Sequence, residues 1–194
     1  MNTEFSTIIL AGGKGTRMGG QDKGLVAYQG RPLIHRSVRL ARQCSDAIII
    51  SANRNVTQYK TFADVVIQDS LPNYGGPLFG IQACTCSVLT DYTLIIACDL
   101  PNLTTRFVRP LQKALLDGTP QLDAVVYRHD GFLQCGLIAI KTAALASIDS
   151  ELKAGQRSVK RWLESLSLLV LDSDDAQAFT NFNTPNNFTA ASKR

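Results

Sequence analysis

Six glycines fall within the thirteen residues from Gly12 to Gly24, interleaved with Lys14, Arg17 and Lys23. Glycine admits positive φ and lets backbone N–H groups approach an anion, and the cations then neutralise it. The run reads as a cradle for a polyphosphate. It is not a P-loop, because no G-x-x-x-x-G-K-[ST] fits. Nor is it the Rossmann fingerprint, because Met18 stands where G-x-G-x-x-G from Gly13 needs its third glycine. A flexible loop with no ligand is the plain alternative, and the three cations so close to an apolar run argue against it.

Asp99 closes the run Ile95-Ile96-Ala97-Cys98 and precedes Leu100-Pro101. A carboxylate in that position suits Mg²⁺, which takes one or two protein carboxylates and fills its remaining sites with water and phosphate oxygens. A helix N-cap ahead of Leu103 explains the same residue equally well. Asp69-Ser70 leads through Asn73 and Tyr74 to Gly75-Gly76-Pro77, where proline opens a helix whose first amides are free for a ligand. Asn181-Phe182-Asn183-Thr184-Pro185 puts two amides on one side of an extended segment, suited to a base or pterin edge, or simply to a turn before proline. His35 and His129 have no partners for a Ser/His/Asp arrangement, and no G-x-S-x-G elbow exists, so an acyl hydrolase is poorly supported.

Short Ile-, Val- and Leu-rich runs position these residues: 7–11, 47–52, 64–67, 93–98, 124–127, 137–140 and 168–171. They predict buried strands of a largely parallel sheet, with 137–140 antiparallel. Between the first two, the segment 31–44 places Leu33, Ile34, Val38 and Ala41 at helical spacing, with Arg36, Arg39 and Arg42 opposite. Residues 77–89 and 103–116 give two further amphipathic helices, the second ending at Asp117-Gly118. Residues 141–152 and 158–166 read as surface helices. Alternating strands and helices imply an α/β fold with right-handed crossovers, whose ligands gather at the carboxyl ends of the strands.

The length of 194 residues suits one domain spanning 1–194, and a 45% hydrophobic fraction supports a full core. Twenty basic against sixteen acidic side chains leaves +4, a mild excess that fits small anionic substrates and carries no nucleic-acid reading motif. Five cysteines, most in apolar runs, argue against a disulfide framework and for a reducing cytoplasmic setting. Neither a secretory signal nor a membrane span is expected.

Taken together, these motifs resemble the molybdenum cofactor guanylyltransferase family. The resemblance rests on Leu10-Ala-Gly-Gly13, Arg17-Met-Gly-Gly20 and Asp22-Lys23-Gly24, then Gly30-Arg-Pro-Leu33 and Asn53-Arg54. It continues through Asp69-Ser70, Gly76-Pro-Leu78 with Gly80, Cys98-Asp99-Leu-Pro101 and Asn181-Phe-Asn-Thr-Pro185. It implies a Rossmann-like nucleotidyltransferase fold, α/β with a mostly parallel sheet and helices on both faces. It also implies that Leu10, Ala11, Gly12 and Gly13 hold a guanine nucleotide, with Lys23 and Arg17 on its phosphates. Asp69 would lie on the nucleoside and Asp99 on Mg²⁺ and GTP. Gly76, Gly80, Asn181 and Asn183 would help hold nucleotide or pterin, with Asn53 and, weakly, Ser51 beside them. Implied is transfer of GMP from GTP to molybdopterin, with pyrophosphate released, no nucleic acid or membrane involved, and transient contacts with other proteins of molybdenum cofactor biosynthesis. Alternatives in view are a CTP-dependent molybdopterin cytidylyltransferase, a sugar-phosphate nucleotidyltransferase, or a non-catalytic GTP-binding module.

Overall fold

The computed structural model describes residues 5–13, 20–68 and 75–182. Among these residues the strands in chain order are β1 (Phe5–Leu10), β2 (Ala27–Tyr28), β3 (Arg31–Pro32), β4 (Ala47–Ser51), β5 (Val65–Ile67), β6 (Tyr92–Ala97), β7 (Ala124–His129), β8 (Phe132–Lys141) and β9 (Leu168–Asp172). The α-helices are α1 (Ile34–Ala41), α2 (Val56–Tyr59), α3 (Pro77–Cys84), α4 (Thr105–Leu116), α5 (Ile148–Lys153) and α6 (Val159–Glu164). Seven strands form one sheet in the order β5-β4-β1-β6-β8-β7-β9, and β2 pairs with β3 in a separate hairpin. All of the sheet is parallel except β8, which runs against both β6 and β7.

The strand runs are apolar on both sides because helices cover both faces. Alternation along β1 and β4 sends Ile9, Ile48 and Ile50 toward α1 and Tyr59 of α2. Ile8 and Ile49 go the other way, toward Leu78 and Ile81 of α3. On the first face α4 adds Phe107, Val108 and Leu111 against Leu94 and Ile96 of β6. On the second, α5 and α6 bury Ile148, Trp162 and Leu163.

Three expectations change. The predicted helix over 31–44 begins only at Ile34, because Arg31 and Pro32 pair with Tyr28 and Ala27, and proline's fixed φ suits an edge strand. The helix predicted over 77–89 ends at Cys84 and tightens into a 3₁₀ turn at Thr85–Ser87. The segments read as surface helices are half sunk in the core: Trp162 is fully buried and its indole Nε1 donates to Ser147 Oγ at 2.9 Å. Neither α2 nor the hairpin was legible as a periodic run, since four-residue and two-residue elements have no room for a period. No described helix is long and apolar enough to cross a membrane.

Candidate functional site

In an open α/β sheet the crevice lies where successive strands depart to opposite sides of a common neighbour. Here β4 lies on one side of β1 and β6 on the other. The ladder continues past the strand ends, which makes the loop roots rigid. Ala11 N–H donates to Ser51 O at 2.9 Å, Cys98 N–H to Leu10 O at 3.1 Å, and Ala52 N–H to Ile67 O at 2.9 Å. A cleft of about 380 Å³ opens above them. Its floor is Leu10 to Gly13, one wall is Ala97 to Asp99 with Lys23, the facing wall is Pro77, Cys135 and Val159, and Asn181 lies at the rim.

Within the cleft, Lys23 Nζ donates to Asp99 Oδ2 at 2.6 Å, with about a fifth of each side chain exposed. Asp99 Oδ1 is buried and accepts no hydrogen bond among the described residues. A buried carboxylate oxygen left without a donor calls for one, and a hard cation satisfies it as well as an N–H does. The N-cap alternative for Asp99 falls away, because α4 is capped at Thr104. No described group of three His, Cys, Asp or Glu side chains converges, so a cation here would rest on Asp99 and on oxygens from elsewhere, as Mg²⁺ does. Burial pushes the Cys98 thiol up, with Asp99 adding to the effect, so Cys98 stays neutral in the wall.

A second layer of contacts aims Lys23. The Asp22 carboxylate accepts from Tyr59 Oη at 2.6 Å and from Asn55 Nδ2 at 3.0 Å. Burial, with the bond to Asp22, pushes the Tyr59 phenol above its ordinary value and keeps it a donor. Arg54 donates to Gly13 O at 3.0 Å, Gly20 O at 2.7 Å and Gln21 O at 3.3 Å, so one guanidinium ties together both ends of the glycine loop. Arg54 was marked in sequence only as part of Asn53-Arg54, with no role given to it, and Asn55 and Tyr59 were given none either. Their only signal was that Arg54 is a cation at a strand's carboxyl end.

The C-terminal strap closes the site. Phe182 N–H donates to Asp99 O at 2.9 Å, and the Phe182 ring is buried edge-on against Tyr28, centroids 5.1 Å apart. Asn181 thereby lines the cleft while the Phe182 ring is buried.

Of the residues expected at the site, Leu10, Ala11, Gly12, Gly13, Lys23, Asp99 and Asn181 come together around the cleft. Asn53 lies beside them, its Nδ2 3.8 Å from where a Gly12 β-carbon would be. Gly76 is the N-cap of α3, at φ +99°, a conformation that favours glycine, and it hands the chain to Pro77 in the wall. Two of the expected residues make packing contacts behind the cleft floor. Ser51 is buried and its hydroxyl hydrogen-bonds the Cys84 thiol, which burial pushes up to about 12. Gly80 faces Ser51 rather than the cleft: a β-carbon there would sit 2.6 Å from Ser51 Oγ, so the absence of a side chain lets α3 pack close on β4. Arg17, Asp69 and Asn183, with Lys14, lie outside the described residues.

A doubly faced α/β sheet with a glycine-backbone floor, a lysine and an aspartate at the carboxyl ends of β1 and β6 is the architecture of a nucleotidyltransferase. The profile of the MobA-like NTP transferase domain matches residues 7–170. Molybdenum cofactor guanylyltransferase of Pseudomonas fluorescens is 36% identical over 182 residues, covering 93% of this chain and 90% of that protein. The enzyme of the same name from Cupriavidus metallidurans is 36% identical over 185 residues, covering 93% and 91%. The chain therefore belongs to the molybdenum cofactor guanylyltransferase family of MobA-like NTP transferases. Among solved structures, molybdopterin-guanine dinucleotide biosynthesis protein A of Archaeoglobus fulgidus superposes with a TM-score of 0.77 at 21% identity, covering 97% of each chain. The 4-diphosphocytidyl-2C-methyl-D-erythritol synthase of Anaerococcus prevotii gives 0.75 at 12% identity, covering 97% and 96%; both likenesses speak to the fold.

Proposed function

We propose that this chain transfers GMP from GTP to molybdopterin, forming molybdopterin guanine dinucleotide and releasing pyrophosphate. The observation that carries the reading is the Lys23–Asp99 pair facing the Leu10–Gly13 backbone across one cleft, in a chain of this family. A terminal phosphate oxygen of the acceptor attacks the α-phosphorus of GTP. The bond from that phosphorus to the bridging oxygen breaks, and pyrophosphate leaves with the electron pair. A phosphate monoester has its second pKa near about 6, so the nucleophile needs no general base. The cleft suits that chemistry: none of the described lining residues is a histidine.

The work left to the protein is to position and neutralise anions. Backbone amides of Ala11 to Gly13 meet the nucleotide, and Lys23 and Arg17 take the phosphates. Asp99 Oδ1 is the oxygen that would hold a divalent ion, here Mg²⁺. Such an ion spreads the phosphate charge. Asp69 serves the nucleoside, and Asn181 and Asn183, with Gly76 below, hold the base or pterin edge. A cytoplasmic setting suits five free thiols, and acceptor delivery would come from other molybdenum cofactor biosynthesis proteins.

The deciding experiment titrates GTP, ATP and CTP in Mg²⁺, with and without molybdopterin, following pyrophosphate. Release is expected with GTP and only when molybdopterin is present. Preference for CTP would make the chain a cytidylyltransferase, and GTP binding without pyrophosphate would make it a non-catalytic module.

A further inference from the structure

A second pocket, of about 480 Å³, lies between α1, the β2–β3 hairpin and the start of α4. Among the described residues it shares no lining residue with the candidate cleft. Its polar wall is built from Arg31, His35, Arg36, Arg39, Gln29 and Thr104. From Arg31 to Ser45 the chain carries four arginines and no acid. Arg42 is matched by Asp64 at 2.8 Å, whereas Arg31, Arg36 and Arg39 enter no salt bridge among the described residues.

Three arginines line one concavity and no acidic residue is among its described lining residues, so their like charges favour an anion there. Arg36 is already oriented for one: it lies over the Tyr28 ring at 4.7 Å, donates to Gln29 Oε1, and reaches Pro101 O at 3.5 Å. Arg31 Nη1 is held 3.0 Å from His35 Nε2. Planar, forked donors match the oxygens of phosphate and carboxylate alike, three arginines suit the higher charge that a phosphate group carries, and the volume exceeds that of one inorganic ion and falls in the range of small-molecule sites. We infer that this pocket binds a phosphate-bearing small molecule, at a site separate from the catalytic cleft. The inference is independent of the transfer reaction proposed above.

The test is calorimetric, on the full chain carrying Lys23→Ala, which weakens anion binding in the cleft. The probes are inorganic pyrophosphate, GMP and inorganic phosphate, so that polyphosphate, nucleotide and simple phosphate are distinguished. At least one is expected to bind with one equivalent. Adding Arg31→Gln and Arg39→Gln should weaken that binding by about tenfold or more, through loss of two charge-assisted contacts. Arg36 is left in place because it packs on Tyr28. The Arg31→Gln/Arg39→Gln pair alone, in the chain with Lys23 intact, should keep its thermal melt and its transfer rate, so a folding defect or a failure of the transfer reading would be seen separately. The proposal is overturned if Lys23→Ala abolishes binding of every probe, if the arginine changes leave affinity untouched, or if a poly-glutamate peptide binds more tightly than all three, which would make the surface a docking site for an acidic protein.

Discussion

Asp99 uses its two oxygens differently: Oδ2 pairs with Lys23, and Oδ1 is buried without a donor among the described residues. Asp99→Asn keeps the shape and removes the charge. It should lower transfer by about 10²- to 10³-fold, the usual loss when one preorganised electrostatic group is removed. Steady-state pyrophosphate release measures it, and near-wild-type turnover would reject the assignment. Arg54 acts through others, since its hydrogen bonds among the described residues all go to loop carbonyls. Arg54→Ala frees both ends of the glycine loop and should cut kcat/KM for GTP by roughly ten- to a hundredfold, the worth of charge-assisted hydrogen bonds of about 1.5–3 kcal/mol. Arg54→Lys should rescue little, because a point charge cannot reach three carbonyls at once. Equal kcat/KM in wild type and Arg54→Ala would remove it from the machinery. At this scale Lys23 and Asp99 were readable because their chemistry is local to a strand end. Arg54 and Tyr59 were not, because their meaning depends on partners 33 to 41 residues away.

Elements position these groups through two close fits. Helix α3 approaches β4 closely because Gly80 presents no β-carbon to Ser51. Gly80→Ala should cost about 1–3 kcal/mol, the range for overpacking a filled core, and urea titration would show it as a lower midpoint at unchanged slope. Helix α6 is anchored by Trp162 and contributes Val159 to the cleft wall. Trp162→Ala should lose about 3–5 kcal/mol of stability, measured by the same titration, and loosen that wall. A loss below 1 kcal/mol would mean that the indole is not the anchor. The periodic helices and all seven strands of the main sheet were legible. The surface helix α6 was legible, but fewer than two turns of helix offered too few positions to reveal how deeply its apolar side sinks.

Across the whole molecule, the cleft draws on segments from both ends of the chain, Leu10 to Gly13 and Asn181, closed by the Phe182 bond to Asp99. A ligand that bridges them stabilises the folded state by mass action. GTP with Mg²⁺ at about a hundred times its Kd should add about 2.7 kcal/mol. At roughly 2–4 °C per kcal/mol for a chain of this size, that raises Tm by roughly 5–10 °C. Asp99→Asn should lose most of the gain, and an equal shift in the two proteins would move nucleotide binding away from this crevice.

The sequence alone determined the alternation of strands and helices and the reversed β8, and it marked the glycine-rich run, Lys23 and Asp99 as candidates for the site. Each of these is written in a contiguous stretch, through a hydrophobic period or a strand followed by its loop. Only the tertiary structure decided that Ser51 and Gly80 serve packing, that Arg54 and Tyr59 aim the loop and Lys23, and that Phe182 locks the strap onto Asp99. It also decided that three arginines share a pocket. Those are contacts between residues far apart along the chain, and no local pattern encodes which strands will lie side by side to create them.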